Sequence, residues 1–224
     1  MKTTILSLLT LAALTITPVA PATASVVIDS TGGTYAARLT FTTFQVATVF
    51  TAGIGGVITD LKLAFDVASN GSDTFSAALR SVGPSNTPTG GVGGILASVT
   101  LPVTVTAGNN TLYDFTSLGA LGAFSLIQGT QYALTFYGAD SNNIKLSQMG
   151  PFNYAVADGF TVQGVSYSSN NGATFNSSGN ALGSFNMQLS TVAAAVPEPS
   201  TYALLCISLG VVGYARKKMM KPTP

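Results

Sequence analysis

Apolar side chains recur at every second position from residue 57 to residue 105, the period of a strand with one face buried and the other wet. In the first run Leu61, Leu63, Phe65 and Val67 are expected to point inward, with Asp60, Lys62 and Asp66 turned to water. Phe75, Ala77 and Leu79 then alternate with Thr74, Ser76 and Arg80. Asn70-Gly71 between the two runs accepts the positive φ angles of a tight turn, so a β-hairpin is expected there. The segment SNTPTGGVGG, residues 85 to 94, holds too much glycine and proline for anything but a loop. It leads into a third run in which Ile95, Ala97, Val99, Leu101, Val103 and Val105 share a face. Pro102 on the opposite face has no amide hydrogen, which places that strand at a sheet edge or at a bulge.

The same alternation returns at Tyr132, Leu134 and Phe136 and again at Phe185, Met187 and Leu189. Residues 150 to 180 are rich in Asn, Ser and Gly and read as one or two strands with long loops. The body shows no convincing 3.6-residue period and no fixed-period repeat. Many short strands separated by turn signals predict an all-β fold, a two-sheet antiparallel β-sandwich, with a jelly-roll variant equally allowed.

Both ends of the chain differ from this body. The first 24 residues combine a basic Lys2, an apolar stretch from Ile5 to about Ile16 and small residues at Ala22 and Ala24, the three-part pattern of a secretory signal peptide cleaved after Ala24. The sandwich domain is then expected over 25–192. The last segment, 193–224, contains a linker and Pro-Glu-Pro motif (193–200), an uncharged run from Thr201 to Ala215, and a basic end (216–224) with Arg216, Lys217, Lys218 and Lys221.

With both ends set aside, residues 25–196 hold four cations, Arg38, Lys62, Arg80 and Lys145, against seven aspartates, a balance of −3. Nothing basic remains to track a phosphate backbone, so nucleic acid is not an expected partner. The one cysteine, Cys206, lies in the apolar tail, so the exported body has no disulfide and must be held by burial alone. The chain has no histidine, which removes the commonest general base and the commonest zinc ligand together. No Ser-x-x-Lys arrangement offers a substitute base. Asp66 and Asp73 could in principle form a glycosidase pair, but acids flanking a polar turn are more often a solvated end. The loop DVASNGSD, residues 66 to 73, offers oxygen ligands without the EF-hand spacing, and no metal or cofactor is expected. Sugar stacking has no tryptophan to use, leaving Tyr137, Tyr154 and Tyr167 as platforms unless they are buried strand residues.

In the tail, Glu198, the only glutamate, stands between Pro197 and Pro199. Each proline fixes its own φ and biases the preceding residue toward extended backbone, so the tripeptide is stiff. A helix can begin only at Pro199 or Ser200, and the acid before it and the cations after it both suit its dipole. Fifteen residues at about 1.5 Å each span roughly 22 Å, short of the ~30 Å hydrocarbon core, so insertion is marginal. The positive-inside tendency keeps the basic end cytoplasmic and the tripeptide on the side to which the signal peptide exports the body.

The order Val196, Pro197, Glu198, Pro199, apolar helix, Arg216, Lys217, Lys218 resembles the PEP-CTERM sorting signal of exported bacterial proteins. That resemblance implies recognition by exosortase, a membrane-embedded protease resembling a transpeptidase, and removal of the tail during sorting to the surface of a Gram-negative bacterium. It implies that Pro197, Glu198 and Pro199 are acted upon and perform no chemistry. It also implies association with exopolysaccharide and biofilm-matrix systems, with signal peptidase and exosortase as processing partners and the membrane as an interim anchor. In the body, LTFTTF near residue 39, ITDLKLAFDV, FSAALRSVGPSNTPTGGVGGILASVTL and LIQGTQYALTFYG are similar to the choice-of-anchor R type of surface domain, a predicted β-sandwich with no catalytic residues. Together these features lead to a non-enzymatic surface or matrix protein, with a carbohydrate-binding or adhesive module as the alternative.

Overall fold

A computed structural model describes residues 22–32, 34–40, 44–138, 144–150, 154–179 and 184–194. The expected signal-peptide core and the sorting tail from residue 195 on, including Pro197, Glu198, Pro199, Arg216, Lys217, Lys218 and Lys221, lie outside them. Among the described residues the chain forms two antiparallel sheets and almost no helix, as the alternation requires. The longest strand, β4 (Gly56–Val67), organises the first sheet. Along one edge it pairs with β15 (Met187–Ala193) and then with β10 (Ile144–Gly150); along the other it pairs with β8 (Ser125–Leu126) and β7 (Gly108–Phe115). Beyond β15 lies β1 (Ala24–Asp29), then β11 (Ala155–Val156), while β2 (Thr34–Thr40) and β14 (Ser184–Phe185) pair with β10. The second sheet runs β13 (Asn176–Gly179), β12 (Thr161–Ser168), β3 (Gln45–Thr51), β9 (Gln131–Tyr137), β5 (Gly71–Ser81), β6 (Ile95–Val105).

The faces that meet are those the period-two pattern marks. Leu61, Leu63, Phe65 and Val67 from β4, Phe75, Ala77 and Leu79 from β5, and Met187 and Leu189 from β15 belong to one buried cluster. Phe65, Phe75 and Phe115 knit the two sheets, with Phe65–Phe75 and Phe75–Phe115 centroids 5.3 and 5.1 Å apart in edge-on contact. Among the described strands β6 pairs with β5 alone, which puts Pro102 on an edge strand. A short helix, α1 (Gly119–Ala123), follows β7 and seals the core with Leu121.

Three expectations are corrected. First, β4 and β5 do not form a hairpin, since they belong to different sheets and face each other across the core. The described left-handed non-glycine residues are Asn86, Asn110, Asp158 and Asn171, so Asn70 adopts no such turn; its Oδ1 instead accepts from the amide of Ala107 at 2.7 Å. Second, Asp66 is 2% exposed, flanked in the sheet by β10 and by a bulge of β7 whose Ser147 and Asn110 hydrogen-bond to it. Third, Arg80 is also 2% exposed. The glycine-rich loop after β5 folds back over the outer face of the second sheet, where Ala47, Val49, Ala133 and Phe175 form a separate small core with Val82 at its rim. Arg80 is enclosed there, donating to the carbonyls of Thr89 and Gly91 at 3.2 and 2.7 Å and lying 5.3 Å over the ring of Phe175.

Residues Thr23–Ala194 form one compact unit, and the chain enters and leaves it side by side. Ala24 of β1 pairs with Val192 of β15, and the amide of Ala194 donates to Gly55 O at 3.0 Å.

Candidate functional site

Two polar constellations and the point of chain exit stand out on the domain. On the outer face of the first sheet a row runs across four neighbouring strands: Asp29 on β1, Gln188 on β15, Lys62 on β4 and Asp114 on β7. Asp60, two residues before Lys62, joins it. Lys62 Nζ lies 3.9 Å from Asp60 Oδ2 and 3.7 Å from Asp114 Oδ2, distances at which charge rather than a hydrogen bond holds the group. Burial first, and then the adjacent Asp114 carboxyl, push Asp60 up from 3.8 to about 6. Asp29 goes the other way. Burial opposes its charge, but donation from the Thr31 hydroxyl, the Thr31 amide and the Gln188 amide outweighs that cost and holds it below 3.8. Among the described residues the carboxyls of Asp60 and Asp114 converge, on a sheet face around one lysine.

A second constellation is buried. Asp66 Oδ1 accepts from the amide of Asn110, a left-handed residue at the β7 bulge, at 2.7 Å, and from Ser147 Oγ at 3.2 Å. Asn186 donates through Nδ2 to Asn110 Oδ1 at 2.6 Å, while its backbone bridges to Ser147 and Ala64 where β10 and β15 meet along β4. Asp66 therefore ties strand ends together and is not a solvated partner of Asp73. Asp73 stands on β5, in the other sheet, and lines a groove of about 360 Å³ with Ser72, Thr74, Pro102, Val103 and Thr104. Among the described residues no group of three or more acidic side chains is placed to hold a metal ion.

Of the tyrosines considered as sugar platforms, Tyr154 is removed by its bonding. Its hydroxyl lies 3.2 Å from Thr48 Oγ1 and accepts from the amide of Phe185 at 3.1 Å, and burial pushes it up to about 12. Tyr137 and Tyr167 are half-buried.

The third feature is where the chain leaves. β15 is an inner strand, gripped by β1 on one side and β4 on the other, so the segment after Ala194 emerges from a fixed point. Ala22 and Ala24, the expected signal-cleavage residues, are exposed, and Ala24 is the first residue of β1. Nothing in the spacing of sequence motifs could reveal that the first and last strands are neighbours.

Residues 195–218 match the family model of the PEP-CTERM protein-sorting motif. The match begins at the residue after Ala194, the last of the compact unit. No curated protein matches the chain. The chain thus carries a PEP-CTERM sorting motif, the mark of an exported, membrane-anchored precursor directed to exosortase.

Proposed function

We propose that this protein is a non-enzymatic component of the bacterial cell surface or extracellular matrix, held in the inner membrane by its tail until exosortase cleaves at Pro197-Glu198-Pro199. The observation that carries the reading is the sorting motif at 195–218 directly abutting a β-sandwich that ends at Ala194. Chain geometry supports it: the exported body enters through β1 and exits through the adjacent antiparallel β15, so a signal peptide and a tail anchor leave from one end. The absence of histidine from the chain, and of cysteine outside Cys206, supports a body that works by contact rather than chemistry. Few charges and abundant Ser, Thr, Asn and Gly suit contact with hydrated exopolysaccharide, in a biofilm matrix or on the surface of a Gram-negative cell.

The test is the mass and location of the mature protein in its native host, with and without exosortase. Processing predicts a shorter surface form in the wild type and an intact membrane-bound precursor in the deletion strain. Glu198→Ala should trap the precursor in the same way. Identical products in identical places in both strains would refute the reading.

A further inference from the structure

The end of the sandwich from which the chain exits has a surface character of its own. Three segments meet there with the start of β1 and the end of β15. The β3–β4 connection (52–55) is stapled to the turn after β8, with the amide of Ala52 donating to Thr130 O at 3.0 Å and the amide of Gly129 to Ala52 O at 2.8 Å. Gly56 pairs with both Leu126 and Ala193, and the 157–160 turn packs so closely on Gly53 that an added Cβ would lie 2.1 Å from Asp158 O.

At the apex of this end stands Ile127, 65% exposed although its neighbour Leu126 is buried in the core. The turn that presents it is fixed, because the Ile127 amide donates to the Tyr132 hydroxyl at 3.0 Å and the Thr130 amide returns to Ile127 O at 3.1 Å. Half-buried Ile54 lies in the stapled connection beside it. Across residues 22–25, 52–57, 125–130, 157–160 and 191–194 the only charged side chain is Asp158, whose carboxylate accepts from Ser25 Oγ. The body cations Lys62, Arg80 and Lys145 stand elsewhere.

Six residues, 195–200, separate this end from the apolar run that starts at Thr201. Fully extended they reach about 20 Å, so an inserted tail keeps this end within that distance of the bilayer whatever the segment's conformation. An almost uncharged surface with a rigidly presented isoleucine, leashed that closely to lipid, is suited to lie in the headgroup layer.

We infer that the chain-exit end of the sandwich is a lipid-facing surface, and that in the precursor Ile127 rests in the interfacial region of the membrane. The inference rests on the tail-anchored reading above. Contact at this end orients the domain against the bilayer.

The chain contains no tryptophan, so single tryptophans report position without background. Full-length protein would be reconstituted in phosphatidylethanolamine–phosphatidylglycerol vesicles with or without brominated acyl chains. Three variants are compared: Ile127→Trp, Leu205→Trp in the tail, and Ala107→Trp on an exposed turn at the opposite end, where β6 passes to β7. Brominated lipid should lower emission about twofold or more at 127 and 205 and leave 107 unchanged, since tryptophan in the interface lies within reach of the quencher. Quenching at 205 with 127 no different from 107 overturns the lipid-facing surface and leaves the anchored tail intact. Loss of quenching at both 205 and 127 overturns the anchor and the inference together. A blue-shifted but unquenched Trp at 127, in vesicles that hold no other protein, overturns the lipid assignment in favour of contact with a second copy of this chain.

Discussion

Asp60 is the residue whose ionisation works against the fold. Its ordinary value of 3.8 is raised to about 6 by burial and by the Asp114 carboxyl, so the folded domain binds a proton there more tightly than the unfolded chain. The unfolded state therefore holds fewer protons between about pH 4 and pH 6, and this residue's contribution to stability falls as pH rises through that window. Asp60→Asn should flatten that fall and raise stability at pH 7 by about 1–3 kcal/mol, measured as urea midpoints across pH 3.5 to 7.5. Asp29 has the opposite sign: its lowered value contributes stability above 3.8 that is lost on acidification. Arg80 is different again, a buried cation held by carbonyl oxygens, the Gln45 amide and the Phe175 face, with burial lowering its affinity for the proton. Arg80→Ala should cost about 2–4 kcal/mol, because two carbonyls lose their donor and the small outer core loses its lid. Limited proteolysis of that variant should cut first between residues 83 and 94.

Elements read from period were found where the period placed them; neighbours were not. Alternation says which side chains face inward: β4, β5, β9 and β15 bury the predicted set, and β6 buries Ala97, Leu101, Val103 and Val105 while Ile95 and Val99 stay half-buried. It does not say whether the next strand lies beside or across the core, since both arrangements cover the same apolar face. That is why Asn70-Gly71, a fair hairpin signal, proved to be a link between sheets. Asp66 and Arg80 were misread for a related reason, because period assigns the outer face and only tertiary packing decides whether something covers it. The sorting tail was legible since its information is local: one acid between prolines, an apolar run, then cations. The Asp60–Lys62–Asp114 group was not, because Asp114 lies on β7 and joins the others only through the register Lys62↔Asp114. One element also carries a backbone constraint that the sequence left unmarked. A Cβ on Gly56 would sit 2.1 Å from Val192 O, in the pairing that fixes the last strand. Gly56→Ala should force β4 and β15 apart at the chain-exit end, costing about 2–4 kcal/mol by urea denaturation, and should increase amide exchange from Val192 to Ala194 relative to the rest of β15.

At the scale of the whole domain, the first strand waits for the last. β1 pairs with β15 and with the two-residue β11, and β4, which organises the first sheet, has β15 along most of one edge. Export delivers the chain from its N-terminus, so Leu61 and Leu63 lack the neighbouring Met187 and Leu189 until almost all of the domain has crossed the membrane. Such long-range pairing is slow to form, and the cost of closing the loop falls on the final strand. The domain should therefore become resistant to protease in one late step. A chain ending at Ala181 lacks β14 and β15, leaves β1 with only the two-residue β11 and β4 with only β10 at the far end of that edge, and should remain protease-sensitive with no cooperative unfolding transition. A chain ending at Ala194 retains every described strand and lacks only the tail, and it should unfold with the same midpoint and slope as the full-length protein. If the shorter chain folded cooperatively, β15 would be an accessory strand and the point from which the sorting motif emerges would not be fixed.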